Sequence, residues 1–494
     1  MDTDEVHGAK RIGVHPGPSV VFNSCLWLIL VATVLRLGFG AALGLGVDES
    51  YMVASGRVMS LGYFDHPPAA WWLSWGAAHL FGSEAPVIVR LPFIGLFALS
   101  TWLMYRLGGF WAALLLNLSP VFGVTTGTWV LPDGPLDCAL LAATLCLMRA
   151  LERGTLGWWL GAGLCAGLAL FSKYSAVLTL AGAGGFLLTS PQHRRLLAGS
   201  KPWLGLVVAA LVFSPVLVWN AQHGWASFAF QGGRAEGLRF HPFAPLATLG
   251  GEALFVLPWI WAPMMVLWIA RARRGPAEWR SWLLCWLAAP PILVFALIAA
   301  WSSQRVLFHW AAPGYLMLFP LLGHAVAQRI GQPPVPRLIW GTAGFVVLAV
   351  LVVATQVRFD WLPLAQFARR DPDIEAVDWT SLRAELALKP GALVGVPNWR
   401  DAGKVAYALG PDVTTICLNR DARQFGYAVP AGHFVGRDML ILAPEHGERV
   451  PQELGSVFEA MEPLAPVPVR HAGHTLFSVA VFRASHLRAW PPPG

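Results

Sequence analysis

The chain has 494 residues, 56% of them hydrophobic and 13% charged, and a mean hydropathy of +0.54. This balance excludes a soluble domain of ordinary composition and leaves a polytopic membrane protein. The net charge of +7 does not indicate a nucleic-acid binder, because Lys and Arg fall in short clusters between apolar runs, where they act as topology signals.

The polar stretch MDTDEVHGAKRIGVHPGP opens the chain, and the apolar run behind it lacks a small-residue cleavage site. It reads as a retained first helix behind a cytoplasmic tail, residues 1–19, not as a signal peptide. A crossing helix needs roughly 20 apolar residues. By that measure spans are predicted near 20–43, 85–106, 109–128, 134–150, 155–172, 174–190, 202–220, 246–270, 280–300, 308–328 and 338–357. With the N-terminus inside, Lys10, Arg11, Arg106, Arg149, Arg153, Arg194, Arg195, Lys201, Arg271, Arg273, Arg274, Arg280, Arg329 and Arg337 all face the cytoplasm, as the positive-inside rule requires. The odd number of spans then sends everything after residue 357 outside.

That tail, 358–494, changes composition. Short β-type runs at 391–397, 413–419, 438–444 and 475–484 alternate with a helix at 402–410 and another near 451–461, the pattern of a small α/β domain. No glycine-rich phosphate loop follows a strand there, so a recognition or structural role is expected of it. The expected fold class is therefore a polytopic α-helical membrane protein of about eleven transmembrane helices, residues 20–357, with a small C-terminal α/β domain. Five of the six cysteines lie in apolar runs, and their spacing implies neither a metal site nor a disulfide framework.

The outer-face loop, 46–84, carries the stretch GVDESYMVASGRVMSLGYFDHPPAAWW. From Asp48 to Leu61 the spacing puts Tyr51, Ala54, Val58 and Leu61 on one side of a helix that would lie flat at the interface. In FDHPPAAWW the prolines stiffen the backbone around Asp65 and His66, and Trp71 and Trp72 would anchor at headgroup level. Asp48 and Glu49 suit a helix N-terminus equally well. In VLPDGPLDCAL, Asp133 and Asp137 share one helix face; an ionised Asp in lipid costs about 2.5–3.5 kcal/mol, so the pair should face protein or water. Asp133 before Gly134-Pro135 is also a natural turn, and Asp137 reads as structural. Outer cations outside the topology pattern are Arg57, Arg90, Lys173, Arg234, Arg239 and Arg305, with His309 four residues beyond Arg305. Each could meet a lipid headgroup; together with the acids they suggest a site for a phosphate-bearing lipid.

Taken in order, Asp48-Glu49, Tyr51, GYFDHPP, PDGPL, SKYSA, WNAQHGWASFAFQGGR and HWAAPGY resemble the bacterial GT-C glycosyltransferases. More narrowly, they resemble the family 39/83 branch, which includes protein O-mannosyltransferases and lipid A aminoarabinose transferases. The resemblance covers roughly residues 20–330. It implies a GT-C-like catalytic domain that transfers a sugar, with inversion, from a polyprenyl-phosphate donor to a lipid A, glycolipid or protein acceptor. It places this on the periplasmic side of the bacterial inner membrane, with the C-terminal domain on the same side.

By position, Asp48 matches the family's catalytic acid, expected as an ionised general base of ordinary pKa. Glu49 and Asp133 are further catalytic candidates. Tyr51, Arg57, Asp65, His66, Lys173, Arg234, Arg305 and His309 are the expected substrate-binding set, with Arg305 and Lys173 favoured to stabilise the leaving phosphate. His66 stands where the aminoarabinose transferases carry lysine before proline. No cofactor is certain; the carboxylates could hold a divalent Mg or Mn, although no ligand spacing demands it. The alternative reading is a transporter or flippase of a lipid-linked anion, against which stand the absence of internal repeats and the gathering of charge on one side.

Overall fold

The computed structural model describes residues 18–233, 240–302, 306–362 and 373–490. The apolar runs form helices, because only a helix satisfies its own backbone in hydrocarbon. They are α1 (Pro18–Ala42), the short outer helices α2 (Val47–Ser55) and α3 (Ala69–Phe81), α4 (Pro86–Leu118), α5 (Asp133–Arg153), α6 (Leu156–Ser172), α7 (Ala176–Thr189) and α8 (Ser200–Gln222). There follow α9 (Ala226–Gly233), α10 (Ala244–Val256), α11 (Pro258–Arg274), α12 (Trp279–Ile298), α13 (Ala312–Leu316), α14 (Phe319–Arg329) and α15 (Pro334–Phe359).

Among the described residues six helices are long and apolar enough to cross a membrane, or seven if α10 and α11, bent by 116°, form one crossing; α6 and α7 are apolar but shorter. The protein is thus an integral membrane protein built of helices. The expected runs lie where helices form, yet several are not straight crossings. Runs 85–106 and 109–128 become α4, broken at Gly109 (φ 80°, ψ −177°), and a π-helical turn at Val121–Thr126. Run 308–328 divides into α13 and α14. Helices meet through small residues, as expected where lipid offers no hydrophobic drive to association. A Cβ on Gly163 of α6 would stand 2.0 Å from the carbonyl oxygen of Gly205 in α8, so those two backbones touch.

Beyond α15 the chain forms α16 (Asp373–Ala376), α17 (Ser381–Leu386) and a five-stranded sheet of order β2-β1-β3-β5-β4, with α18 (Trp399–Leu409) between β1 and β2. Its strands are β1 (Leu393–Val396), β2 (Thr414–Cys417), β3 (Met439–Ala443), β4 (Phe458–His471) and β5 (His474–Leu487). β1 pairs in parallel with β2 and β3, while β5 pairs antiparallel with β3 and β4. Four strands lie at the expected runs. The fifth, β4, shortens the helix expected near 451–461: the chain is helical over Val450–Leu454 and a 3-10 turn over Gly455–Val457, and strand begins at Phe458. β4 carries Pro463, Pro466 and Pro468 and sits at the sheet edge, where a missing N–H is tolerated.

This domain is not an appendage. Tyr51, Tyr63 and Trp71 of the outer loop share one apolar core with Val394, Val405 and Leu409. Helix α18 lies so close to α2 that a Cβ on Gly403 would come within 2.7 Å of the Tyr51 Cα. Lys404 Nζ donates to the Leu45 and Val377 carbonyls, both at 2.6 Å, and burial pulls its pKa down to about 7. Arg57 bonds Glu84 and the Ala406 carbonyl, and the Tyr407 hydroxyl donates to the Glu84 carbonyl.

Two expectations about the outer loop are corrected by this packing. Helix α2 ends at Ser55 and is buried from Glu49 to Ser55 under the C-terminal domain, instead of lying flat on the membrane to Leu61. Trp71 is fully buried, stacks on Tyr63 at 4.4 Å and donates its indole N–H to Ser55, so it belongs to the core and not to an interfacial belt.

Candidate active site

A cavity of about 350 Å³ opens where the outer loop, the outer ends of α5, α6 and α12, and the C-terminal domain converge. Asp48, Tyr51, Asp65, His66, Asp133, Lys173, Gln231, His309, Trp399 and Arg423 contribute its polar and aromatic wall, and Phe295, Ile298 and Leu307 an apolar one. Seven side chains expected from the sequence, Asp48, Tyr51, Asp65, His66, Asp133, Lys173 and His309, therefore meet around one space.

The acids differ sharply in their surroundings. Asp133 begins α5 and accepts from Lys173 Nζ at 2.8 Å, both side chains being largely buried. The extended backbone of Lys173 (φ −155°, ψ 135°), which ends α6, turns its long side chain across to α5. Asp65 accepts from Arg423 Nη1 at 2.5 Å and from the Tyr51 hydroxyl, and the Gln231 amide donates to its carbonyl oxygen. Asp48, in the first turn of α2, is exposed to the cavity and has no hydrogen-bond or ion-pair partner among the described residues. Protein closes around the carboxylate on its other sides. That burial raises its pKa above the ordinary Asp value; Arg400 and Arg423 oppose the shift, and Asp65 and Glu375 add to it. The ordinary pKa expected of Asp48 is corrected accordingly.

Glu49 and Arg57 do not line the cavity. Glu49 faces Arg90, whose Nε and Nη2 reach its two oxygens at 2.8 and 2.5 Å. It also accepts from the Gly46 and Val130 amides, both at 3.0 Å. Burial works against the Glu49 carboxylate, but Arg90 and these amides outweigh it and hold its pKa low. The same guanidinium donates to the carbonyls of Gly40, Leu43 and Gly44. Arg90 is therefore a buried clasp between α1, α2 and α4 and not a lipid contact, and Glu49 is its partner, away from the cavity wall. Arg57 ties the outer loop to the C-terminal domain. Arg234, Arg239 and Arg305 lie outside the described residues. Asp137 is buried behind Asp133 and does not line the cavity.

Among the described residues no group of three or more His, Cys, Asp or Glu side chains is placed to hold a metal ion. Asp65 and Asp133 are each engaged by a cation.

Sequence reasoning missed Trp399 and Arg423, the contribution of the C-terminal domain. Trp399 opens α18 just after β1 and Arg423 lies on the loop after β2, both at the carboxyl ends of parallel strands. In open α/β sheets those are the ends that face ligands. The β1 and β2 runs were legible, and that rule applied to them would have singled out NWR and RDARQ.

Three comparisons bear on this geometry. A model of the dolichyl-phosphate-mannose-protein mannosyltransferase family matches residues 65–219, a segment holding Asp65, His66, Asp133 and Lys173. The lipid A galacturonosyltransferase RgtD of Rhizobium johnstonii is 26% identical over 321 residues, 61% of this chain. The match spans 63% of that relative's length. Among solved structures, ArnT from Cupriavidus metallidurans in the apo state has a TM-score of 0.61 at 15% identity, covering 94% of this chain and 98% of its own. The same protein bound to undecaprenyl phosphate has a TM-score of 0.60 at 16% identity, with the same coverage. The fold is shared with ArnT, and the resemblance to the GT-C glycosyltransferases drawn from the ordered motifs is borne out.

Proposed function

We propose, for a chain of GT-C glycosyltransferase type, that the cavity transfers a sugar from a polyprenyl-phosphate donor to an envelope acceptor on the periplasmic face of the inner membrane, with Asp48 as the general base. The observation that carries this is the contrast among the cavity acids. Asp65 and Asp133 are committed to cations, whereas the Asp48 carboxylate faces open space without a partner among the described residues. A general base must have a free lone pair within reach of the proton it takes.

In the proposed reaction the acceptor hydroxyl oxygen attacks the anomeric carbon from the side opposite the phosphate. The bond from that carbon to the phosphate oxygen breaks, its electron pair leaves with the polyprenyl phosphate, and the hydroxyl proton passes to Asp48. Attack from the opposite side inverts the anomeric centre. Charge grows on the leaving phosphate and needs cations near it; Lys173 on the cavity wall suits this, shared with Asp133, and Arg305 is proposed for the same role. His66 and His309 are proposed as further donors to the phosphate or sugar. The apolar wall of Phe295, Ile298 and Leu307 suits the first isoprene units of the carrier.

Lipid A or another envelope glycolipid is the proposed acceptor ahead of protein, a reading supported by the similarity to a lipid A galacturonosyltransferase. Mass spectrometry of envelope lipids and glycans with and without the gene tests this directly. The expected result is one glycan residue missing from a lipid species; an unchanged lipid profile and a missing protein glycan would reject the lipid acceptor.

The pH profile gives a second expectation. A base acts deprotonated, so transfer is lost as pH falls through the pKa of Asp48. Because burial raises that pKa, the acid limb of kcat/KM should lie above the value of about 3.9 for an unperturbed Asp. A limb at or below that value would count against Asp48 as the titrating group.

A further inference from the structure

We propose that Arg423 is a positioning residue through which the C-terminal domain sets the geometry of the α2 wall of the cavity; this rests on the transfer reading above. Two consecutive residues of the loop after β2 grip the same pair of side chains. Arg423 Nη1 donates to Asp65 Oδ1 at 2.5 Å, and the Gln424 backbone N–H donates to the Tyr51 hydroxyl oxygen at 2.9 Å. The hydroxyl in turn donates to Asp65 Oδ2. The Gln424 side-chain oxygen accepts from the Phe64 N–H at 2.9 Å. Tyr51 stands three residues after Asp48, on the same face of α2. Holding the Tyr51 hydroxyl therefore fixes the helix that presents the proposed base.

The guanidinium is itself held. It lies 4.2 Å from the Trp399 ring and 4.7 Å from the Phe230 ring, so it bridges the C-terminal domain and α9. The backbone of Arg423 has φ +50°, a left-handed conformation that a non-glycine residue keeps only when its surroundings over-determine it. Docking of the domain does not depend on this contact. The shared apolar core, Lys404, Arg57 and Tyr407 already hold α18 to the outer loop, away from the cavity. What Arg423 adds is placement of Asp65 and Tyr51 on the cavity wall. Its charge also opposes the rise in the Asp48 pKa, so its loss should be readable in the titration of the base.

The experiment uses the full chain in vesicles with a polyprenyl-phosphate sugar and follows Arg423→Gln, Arg423→Lys, Tyr51→Phe and the Arg423→Gln/Tyr51→Phe pair. Arg423→Gln is expected to lower kcat by about 10- to 100-fold, as a misplacement of about 1 Å can, while leaving the donor KM nearly unchanged. It should also move the acid limb to higher pH. Arg423→Lys keeps the charge but not the planar fork, so it should lose part of kcat without moving the limb; it also serves if the Gln variant does not fold. The double variant should lose little more than the worse single one, because both act on one chain of contacts. Wild-type kcat and an unmoved limb in Arg423→Gln, or fully additive losses with Tyr51→Phe, would overturn the proposal. If the wild type transfers nothing, the functional reading fails by itself. Hydrogen exchange without donor still tests the positioning role: residues 50–56 and 62–66 should exchange faster in Arg423→Gln, and unchanged protection would overturn it.

Discussion

Asp48→Asn should insert and fold as the wild type does and lose sugar transfer by about 10²- to 10⁴-fold, the usual contribution of a positioned general base. The substitution keeps the shape of the side chain and removes its ability to take a proton. Asp48 has no ion-pair partner to strand among the described residues, and it is exposed to the cavity, so stability should not suffer. Neither neighbour can take over without losing its own partner, since Asp65 is held by Arg423 and Tyr51 and Asp133 by Lys173. Transfer assayed in vesicles supplied with a polyprenyl-phosphate sugar, beside a thermal melt of the purified variant, separates chemistry from folding. Wild-type rates in a well-folded Asp48→Asn would remove Asp48 from the mechanism.

The largest expected effect on stability comes from a residue away from the cavity. Arg90→Ala should destabilise the protein by about 3–5 kcal/mol, the range for removing one partner of a buried ion pair. Arg90 and Glu49 expose only 1% and 5% of their side chains. Removing the guanidinium would leave the Glu49 carboxylate buried with only the Gly46 and Val130 amides. It would also release the carbonyl of Gly40 in the last turn of α1 and those of Leu43 and Gly44 in the turn that joins α1 to α2. Low yield and an early melting transition are the expected signature. A variant as stable as the wild type would show that α1, α2 and α4 are held together by apolar packing alone.

A transport reading finds little support in the distribution of charge. Acids and cations meet at the end of the bundle where the cavity lies, and others pair at its opposite end, such as Glu152 with Arg280 and Glu278 with Arg271. Glu252 in α10 is a buried carboxyl within the apolar part, and it is bonded to the Tyr315 hydroxyl at 2.5 Å. One carboxyl held by one tyrosine does not make a polar path across a membrane.

The sequence by itself determined the class of the protein and the placement of its helices, because apolar length is a local quantity that the bilayer reads segment by segment. It also brought Asp48, Asp65, His66, Asp133, Lys173 and His309 into consideration, since polar groups beside long apolar runs stand out against their surroundings. Only the tertiary structure decided what each of them does. Asp48 and Glu49 are adjacent carboxylates in the sequence, yet Asp48 faces the cavity and Glu49 lies under Arg90, 41 residues further along the chain. Whether a carboxylate is free or paired depends on which cation the fold brings to it, and local composition carries no trace of that. The same holds for the C-terminal domain. Its strands were readable from alternation, but the docking of α18 on α2, and with it the entry of Trp399 and Arg423 into the site, depends on a surface match between segments more than 340 residues apart in the chain.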